Sequence, residues 1–207
     1  MNRFFFCLKK FIPKRLFAAL APAYHFSLAL LAAIFYRFPS RHLCVIAVTG
    51  TKGKTTVVEI INAMLEKAGR KTALSNSLRF KIAEESSSNM FKMTMPGRFF
   101  MQRFLRRAVS ERCEYAILEI TSEGVKQFRN RFISLNAIVF TNLEPEHIES
   151  HGSYEKYRDA KLSVARSLQK SIKEGKFIVV NVDDKEAEKF LTINIKVNYR
   201  YSLKDAQ

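Results

Sequence analysis

Cysteine is scarce in this 207-residue chain. The three present, Cys7, Cys44 and Cys113, are odd in number and lack metal-ligand spacing. That argues against a disulfide framework or a zinc site and points to reduced thiols in a cytosolic protein. Acidic residues are also few: 19 Asp+Glu stand against 35 Lys+Arg, a formal net charge of +16. Such an imbalance favours anionic partners, whether nucleotides, nucleic acid or an anionic membrane surface. For most individual residues a solvated basic surface is explanation enough. No internal repeat, low-complexity tract or Gly/Ser linker divides the chain. Its length suits one domain with a real core and an appendage.

Residues 1–42 read as that appendage, a basic and apolar helical segment before a domain at 43–207. Arg3, Lys9, Lys10, Lys14 and Arg15 precede a mostly apolar stretch, 16–36. The stretch is long enough for a bilayer, but Pro22, His25 and Ser27 interrupt it. A span oriented by those cations would carry the rest of the chain out of the cytoplasm, away from ATP. A signal peptide fails for the same reason, and no small-residue cleavage site stands out. Three readings stay open: an interfacial helix with its cations on lipid headgroups, a helical hairpin broken near Pro22, or a helix packed on the domain or on another subunit. The expected location is the cytoplasm, with the inner face of the membrane if residues 1–42 touch lipid. Pro39 and Ser40 mark the boundary.

Beyond it, strands alternate with helices. Residues 43–49 are β-branched and apolar and end at a glycine, a buried strand. Residues 54–68 put Val57, Ile60, Ile61, Met64, Leu65 and Ala68 on one helical face, with Gly69 as the stop. Residues 72–74 suit a short strand, and the polar stretch 75–95 reads as a loop. Pro96 can start a helix to 109. "YAILEI" (115–120), "AIVF" (137–140) and "FIVVNV" (177–182) are further strands. Residues 154–173 form a long helix closed by Gly175, 184–190 a short one, and 193–202 look extended. The pattern implies an α/β domain with a mainly parallel sheet covered by helices on both faces. In such sheets ligands bind beyond the carboxyl ends of the strands, and the polar residues of interest lie there.

The most telling stretch is "VIAVTGTKGKTTVVEII" (45–61). A phosphate loop needs backbone N–H groups at a helix N-terminus, glycines for close approach, a lysine, and a Ser or Thr for Mg²⁺. "GTKGKT" (50–55) supplies all four: Lys54 is set to reach the β/γ-phosphates and Thr55 to ligate Mg²⁺. The general pattern G-x-x-x-x-G-K-[ST] would put its first glycine at Val48. Here the glycine is Gly50.

With that displaced glycine, "TGTKGKTT" resembles the Mur ligase family, ATP-dependent amide ligases of peptidoglycan precursor synthesis. Four further stretches are similar to the family in the right order, over about residues 43–190. "LEITSEG" (118–124) looks like its strand-end motif with a Mg²⁺-binding glutamate. "TNLEPEHIESHGSYEKYRDAK" (141–161) resembles the stretch holding a metal-binding histidine and a lysine that becomes carbamylated. "VVNVDD" (179–184) matches the next strand and turn, and "MTMPGRFFMQRFL" sits where the tripeptide-synthetase branch has Thr-Thr-Pro.

The resemblance implies a P-loop central domain and a set of roles. Gly50, Thr51, Lys52, Gly53, Lys54, Thr55 and Thr56 hold ATP. Thr55 and Glu119 hold one Mg²⁺. His147 and carbamylated Lys161 hold a second with Glu119. A lysine repels a metal, whereas its carbamate is an anionic oxygen ligand of the kind Mg²⁺ prefers. His151 matches a second family histidine, and Asn181, Asp183 and Asp184 are as readily turn caps. The implied reaction has two steps, carboxylate attack on the γ-phosphate and amine attack on the acyl phosphate, with Lys54, His147 and Lys161 as its catalytic residues.

Several features depart from the family. Glu123 stands where the branch has a histidine, and Met95 replaces the second threonine. The family's UDP-binding and C-terminal domains have no counterpart in 1–207, so turnover is expected to need them in cis or from a partner chain. The expected substrate is an anionic peptidoglycan-precursor-like molecule. Two other readings stay open: a truncated nucleotide-binding module without turnover, and a folylpolyglutamate or poly-glutamate synthetase-like ligase. "GRFFMQRFLRR" (97–107) is basic and aromatic, yet no RNA- or DNA-binding motif accompanies it. Its plain reading is a half-buried helix with a basic outer face.

Overall fold

The computed structural model describes residues 14–146 and 148–204. One eight-stranded sheet organises it, in the order β4-β3-β2-β5-β1-β6-β7-β8. Its strands are β1 (Cys44–Thr49), β2 (Thr72–Ser75), β3 (Arg79–Ile82), β4 (Glu85–Ser88), β5 (Tyr115–Glu119), β6 (Ala137–Phe140), β7 (Phe177–Asn181) and β8 (Val197–Tyr201). All neighbours from β2 to β8 run parallel. The helices are α1 (Lys14–Phe35), α2 (Lys54–Lys67), α3 (Arg98–Ser110), α4 (Ser122–Lys126), α5 (Ile148–His151), α6 (Tyr154–Gln169) and α7 (Ala187–Leu191).

The period-two geometry of a strand splits the core in two. Val45 and Ala47 of β1 face one way, into the larger cluster with Leu105 of α3 and Leu168 of α6. Ile46 and Val48 face the other way, onto α2. Both faces are buried, so the central strands read as unbroken apolar runs. On α2 the buried residues are Val58 and Asn62, with Val57, Ile61 and Leu65 packed beside them. Ile60 and Met64, expected on that face, are exposed. α2 is the one described helix in this smaller cluster, and its contact stripe is narrow.

The stretch 75–95 is not a plain loop. β3 and β4 form an antiparallel hairpin at one edge, turning at Ala83, which has a φ of 51°. β3 alternates: Phe80 and Ile82 point into the core, while Arg79 pairs with Glu59 and Lys81 with Glu66. β4 is Glu-Ser-Ser-Ser and wholly exposed. Backbone pairing and polar contacts hold it, Arg107 to Glu85 and Arg79 to Ser86 Oγ, so no hydrophobic period announces it.

α1 is a single helix that continues through Pro22, so the hairpin reading falls. No described helix is long and apolar enough to cross a membrane. α1 packs beside α3, where Arg98 Nη2 lies 2.5 Å from His25 Nδ1, and Phe26 makes edge contacts with Phe128 and Phe132. A short 3-10 turn, Pro39–His42, then leads into β1. The half-buried reading of α3 holds: Met101, Phe104, Leu105 and Ala108 are buried. Cys44 and Cys113 are free thiols, and Cys7 lies outside the described residues.

Candidate active site

β1 ends at Thr49, and the loop after it lies against the carboxyl ends of β6 and β5. Gly50 has a φ of 149°, and a Cβ there would sit 1.9 Å from Thr141 Oγ1, so only glycine fits. The loop is tied down by the segment after β6. Thr51 N–H donates to Asn142 O at 2.8 Å, Lys52 N–H donates to Asn142 Oδ1 at 2.8 Å, and Thr141 Oγ1 donates to Lys52 O at 2.8 Å. Lys52 itself bridges Glu144 at 2.5 Å and Glu146 at 3.8 Å. Gly53, at a φ of 76°, caps α2 with no side-chain bond. The first amides of α2 therefore stay open for an anion.

Lys54 opens α2 and Glu119 ends β5, and the two side chains meet. Lys54 Nζ lies 3.9 Å from Glu119 Oε1 and donates to Thr51 O at 2.7 Å. Thr55 Oγ1 donates to Glu119 Oε2 at 2.8 Å. Glu119 is 3 % exposed and also accepts from Ser77 N–H at 3.1 Å and from the Ser77 hydroxyl at 3.2 Å. Burial pushes the Lys54 ammonium below its ordinary value, with Glu119 and Glu146 pulling the other way. Thr56 is exposed in the first turn of α2.

Lys161 projects from α6 beneath the same loop. It is 2 % exposed, and its Nζ donates to Gly50 O at 2.5 Å. The ammonium also lies 4.7 Å from the centre of the Tyr157 ring, one helical turn earlier. The Tyr157 hydroxyl in turn lies 2.9 Å from Thr51 Oγ1. Burial first, and then repulsion from Lys54, push the Lys161 amine down to about 7. Near neutral pH much of it is therefore the free base, the form that reacts with carbon dioxide. His151 Nε2 lies 3.1 Å from Ser122 Oγ, its ring edge-on to Tyr157. His147 lies outside the described residues.

A cleft of about 570 Å³ opens in front of this group. Lys54 and Lys161 line it, and so do Lys92, Arg129, Glu123 and Glu146. Its wall includes the two departures noted in the sequence. Met95 is buried, and its sulfur lies 2.4 Å from where a Cβ on Gly124 would sit. Glu123 accepts from Gln127 Nε2 at 2.9 Å. Asn181 and Asp184 cap the turn, accepting from Asp183 N–H and Glu186 N–H, and the three also tie distant segments: Asn181 Nδ2 donates to Thr141 O, Asp183 accepts from Ser202 Oγ, and Asp184 accepts from Leu143 N–H.

The residues fit a hydrated divalent cation. Thr55 and Glu119 already share a proton contact at the strand end, and hydroxyl and carboxylate oxygens are what Mg²⁺ takes. Among the described residues no three His, Cys, Asp or Glu side chains cluster as a metal set. The set expected here draws instead on a hydroxyl, one carboxylate, a modified lysine and His147.

Ser77, Tyr157 and Asn142 were not singled out in the sequence. Tyr157 had a signal, since it stands one helical turn before Lys161. Asn142 lies in the 141–161 stretch that resembles the family, and Ser77 had no signal.

A glycine-tight loop opening a helix, with a strand-end carboxylate and a buried lysine beneath it, defines a phosphate-loop α/β domain. The model of the Mur ligase middle domain matches residues 48–207, and the chain belongs to that family. It is 38 % identical over 164 residues to a UDP-N-acetylmuramoyl-L-alanyl-D-glutamate--2,6-diaminopimelate ligase of Syntrophomonas wolfei, covering 78 % of this chain and 32 % of that protein. It is 35 % identical over 173 residues to a UDP-N-acetylmuramyl-tripeptide synthetase of a Roseiflexus species, covering 80 % of this chain and 34 % of that one. A solved structure of a UDP-N-acetylmuramoyl-L-alanyl-D-glutamate--2,6-diaminopimelate ligase aligns with a TM-score of 0.65 at 27 % identity, over 80 % of this chain and 32 % of that chain. A Mycobacterium tuberculosis folylpolyglutamate synthase shares the fold, with a TM-score of 0.60 at 14 % identity, over 85 % of this chain and 46 % of that one. The chain thus spans about a third of the length of the curated relatives it matches.

Proposed function

We propose that this chain is the ATP-handling part of a Mur-type ligase, one that forms an amide bond on a peptidoglycan precursor. The observation that carries the reading is the meeting of Lys54, Thr55 and Glu119 under the loop, with Thr55 Oγ1 2.8 Å from Glu119. Identities of 35–38 % to ligases named for UDP-N-acetylmuramoyl peptides favour that substrate class. The folylpolyglutamate synthase likeness extends to the fold alone.

In the proposed reaction a substrate carboxylate oxygen attacks the γ-phosphorus of ATP, and ADP leaves. The amine of an incoming amino acid then attacks the acyl carbon. Phosphate departs, and the amine gives up a proton. The open amides of α2 and the Lys54 ammonium bind the phosphates and offset their charge. Thr55 and Glu119 would hold Mg²⁺, which supplies charge neutralisation on the transferring phosphoryl group. Lys161, as its carbamate, and His147 would complete a second Mg²⁺ position with Glu119. Lys92 and Arg129 in the cleft suit an anionic substrate. The rest of the ligase, in cis or on a partner chain, would bring the UDP moiety and the incoming amino acid.

Calorimetry of Mg²⁺–ATP binding to the chain and to Lys54→Ala tests the reading. The chain binds and the variant is weaker by about tenfold or more, the cost of one lost charge-assisted contact. Equal binding by both removes Lys54 from the phosphate site. No binding by either folded protein removes the proposal for this chain.

A further inference from the structure

α1 turns a row of alanines inward and a row of large apolar residues outward. Ala29, Ala32 and Ala33 are buried against the domain. Leu20, Tyr24, Leu31, Ile34 and Phe35 are exposed, Leu31 at 56 % and Phe35 at 72 %. At 3.6 residues per turn these five fall along one side of the helix, away from the alanines. A helix serving only the domain core would be turned the other way, because burying one Leu, Ile or Phe is worth about 1.5–3 kcal/mol. Single exposed apolar residues are ordinary, but five along one helix face, with Ser27 between Tyr24 and Leu31, mark an interaction surface.

Charge selects the occupant. Residues 1–58 contain no Asp or Glu; the first acid is Glu59. Lys9, Lys10, Lys14 and Arg15 stand on the N-terminal side of the stripe, Arg37 and Arg41 on the C-terminal side. Among the described residues no ion pair involves Arg37 or Arg41. A second copy docked by the same face would press two cationic sets together, each on a chain of net charge +16. An apolar layer beneath phosphate headgroups satisfies both halves of the pattern. The helix is about 33 Å long by its rise per residue, and Pro22, His25 and Ser27 interrupt its apolar run, which suits it to lying in the membrane plane.

We propose that α1 docks this chain on an anionic phospholipid surface, with Leu20, Tyr24, Leu31, Ile34 and Phe35 in the acyl boundary and the flanking Lys and Arg on lipid phosphates. The proposal stands apart from the ligase reading, because it needs no nucleotide.

The test is co-sedimentation of the full chain with vesicles of phosphatidylcholine alone, or of phosphatidylcholine enriched in phosphatidylglycerol. The chain partitions onto the anionic vesicles, and less so as salt rises. The double variant Leu31→Ser with Phe35→Ser leaves the charge unchanged and touches no buried residue; it binds about tenfold more weakly or less still. The chain contains no tryptophan, so Tyr24→Trp gives a single reporter whose emission shifts to the blue on anionic vesicles. Failure of the folded chain to bind overturns the proposal. So does equal binding by the double variant, which would reduce the effect to net charge. A dimer seen by light scattering and dissolved by the double variant would assign the stripe to a second copy instead.

Discussion

The side-chain nitrogen of Lys161 lies 2.5 Å from the carbonyl oxygen of Gly50, tying helix α6 to the first residue of the phosphate loop. One buried amine thus senses both the loop and the proton activity around it.

Stability should follow that amine. Its value is about 7 in the folded chain against an ordinary 10.5. Between those values the unfolded chain holds a proton that the folded chain lacks, so stability from this group rises with pH across the window. Below about 7 the cost of burying the charge is present in full. In carbon dioxide-free buffer, Lys161→Met should exceed the wild type in Tm most clearly at the acid end, and the gap should narrow towards pH 10.5. A gap independent of pH would contradict the assignment. With labelled bicarbonate, the wild type and not the variant should show a carbamate carbon resonance.

The two loop glycines should respond differently. Gly50→Ala meets Thr141 Oγ1 at 1.9 Å and is expected to abolish the folded state or cost several kcal/mol. Gly53→Ala meets nothing within 4 Å and carries only the strain of a φ of 76°, about 1 kcal/mol. Urea unfolding of the two variants decides, and equal losses would mean that the contact with Thr141 is not what holds Gly50.

Tyr157→Phe keeps the ring beside Lys161 and removes the hydroxyl 2.9 Å from Thr51 Oγ1. A loss of about 1 kcal/mol is expected for that contact. Because Thr51 is part of the loop, nucleotide affinity should fall as well. A stability loss with unchanged nucleotide affinity would confine Tyr157 to packing.

Glu119→Gln retains the shape but loses the anion that accepts from Thr55 and Ser77. Stability should drop by about 1–3 kcal/mol. Nucleotide binding should remain measurable through Lys54 and the amides while ceasing to respond to Mg²⁺. Calorimetric titrations with and without Mg²⁺ read this directly. An undiminished Mg²⁺ effect in the variant would exclude Glu119 as a ligand.

Much of this could be read along the chain. The strand-loop-helix of residues 44–67, the strand ending in Glu119 and the helix carrying Lys161 each announce themselves by local period and turn chemistry. Their order alone implied the parallel sheet. The hairpin of β3 and β4 did not show, because Glu85–Ser88 has no apolar residue to give it a period. Ile60 and Met64 fitted the helical stripe expected for α2 while Val58 fell outside it, and only the extent of the sheet beneath decides which of them is covered.

By itself the sequence determined the elements, the loop chemistry and the excess of positive charge, because those depend on residues close together in the chain. The tertiary structure alone decided that Ser77 and Thr55 share Glu119, that Tyr157 holds Thr51, and that Lys161 is buried beneath Gly50. It also decided which side of α1 faces outward. Each of these joins positions distant in sequence, or depends on which face finds a neighbour. No local pattern encodes a distance across the sheet. Burial in three dimensions, and not the residue type, is what turns an ordinary lysine into an amine near neutrality.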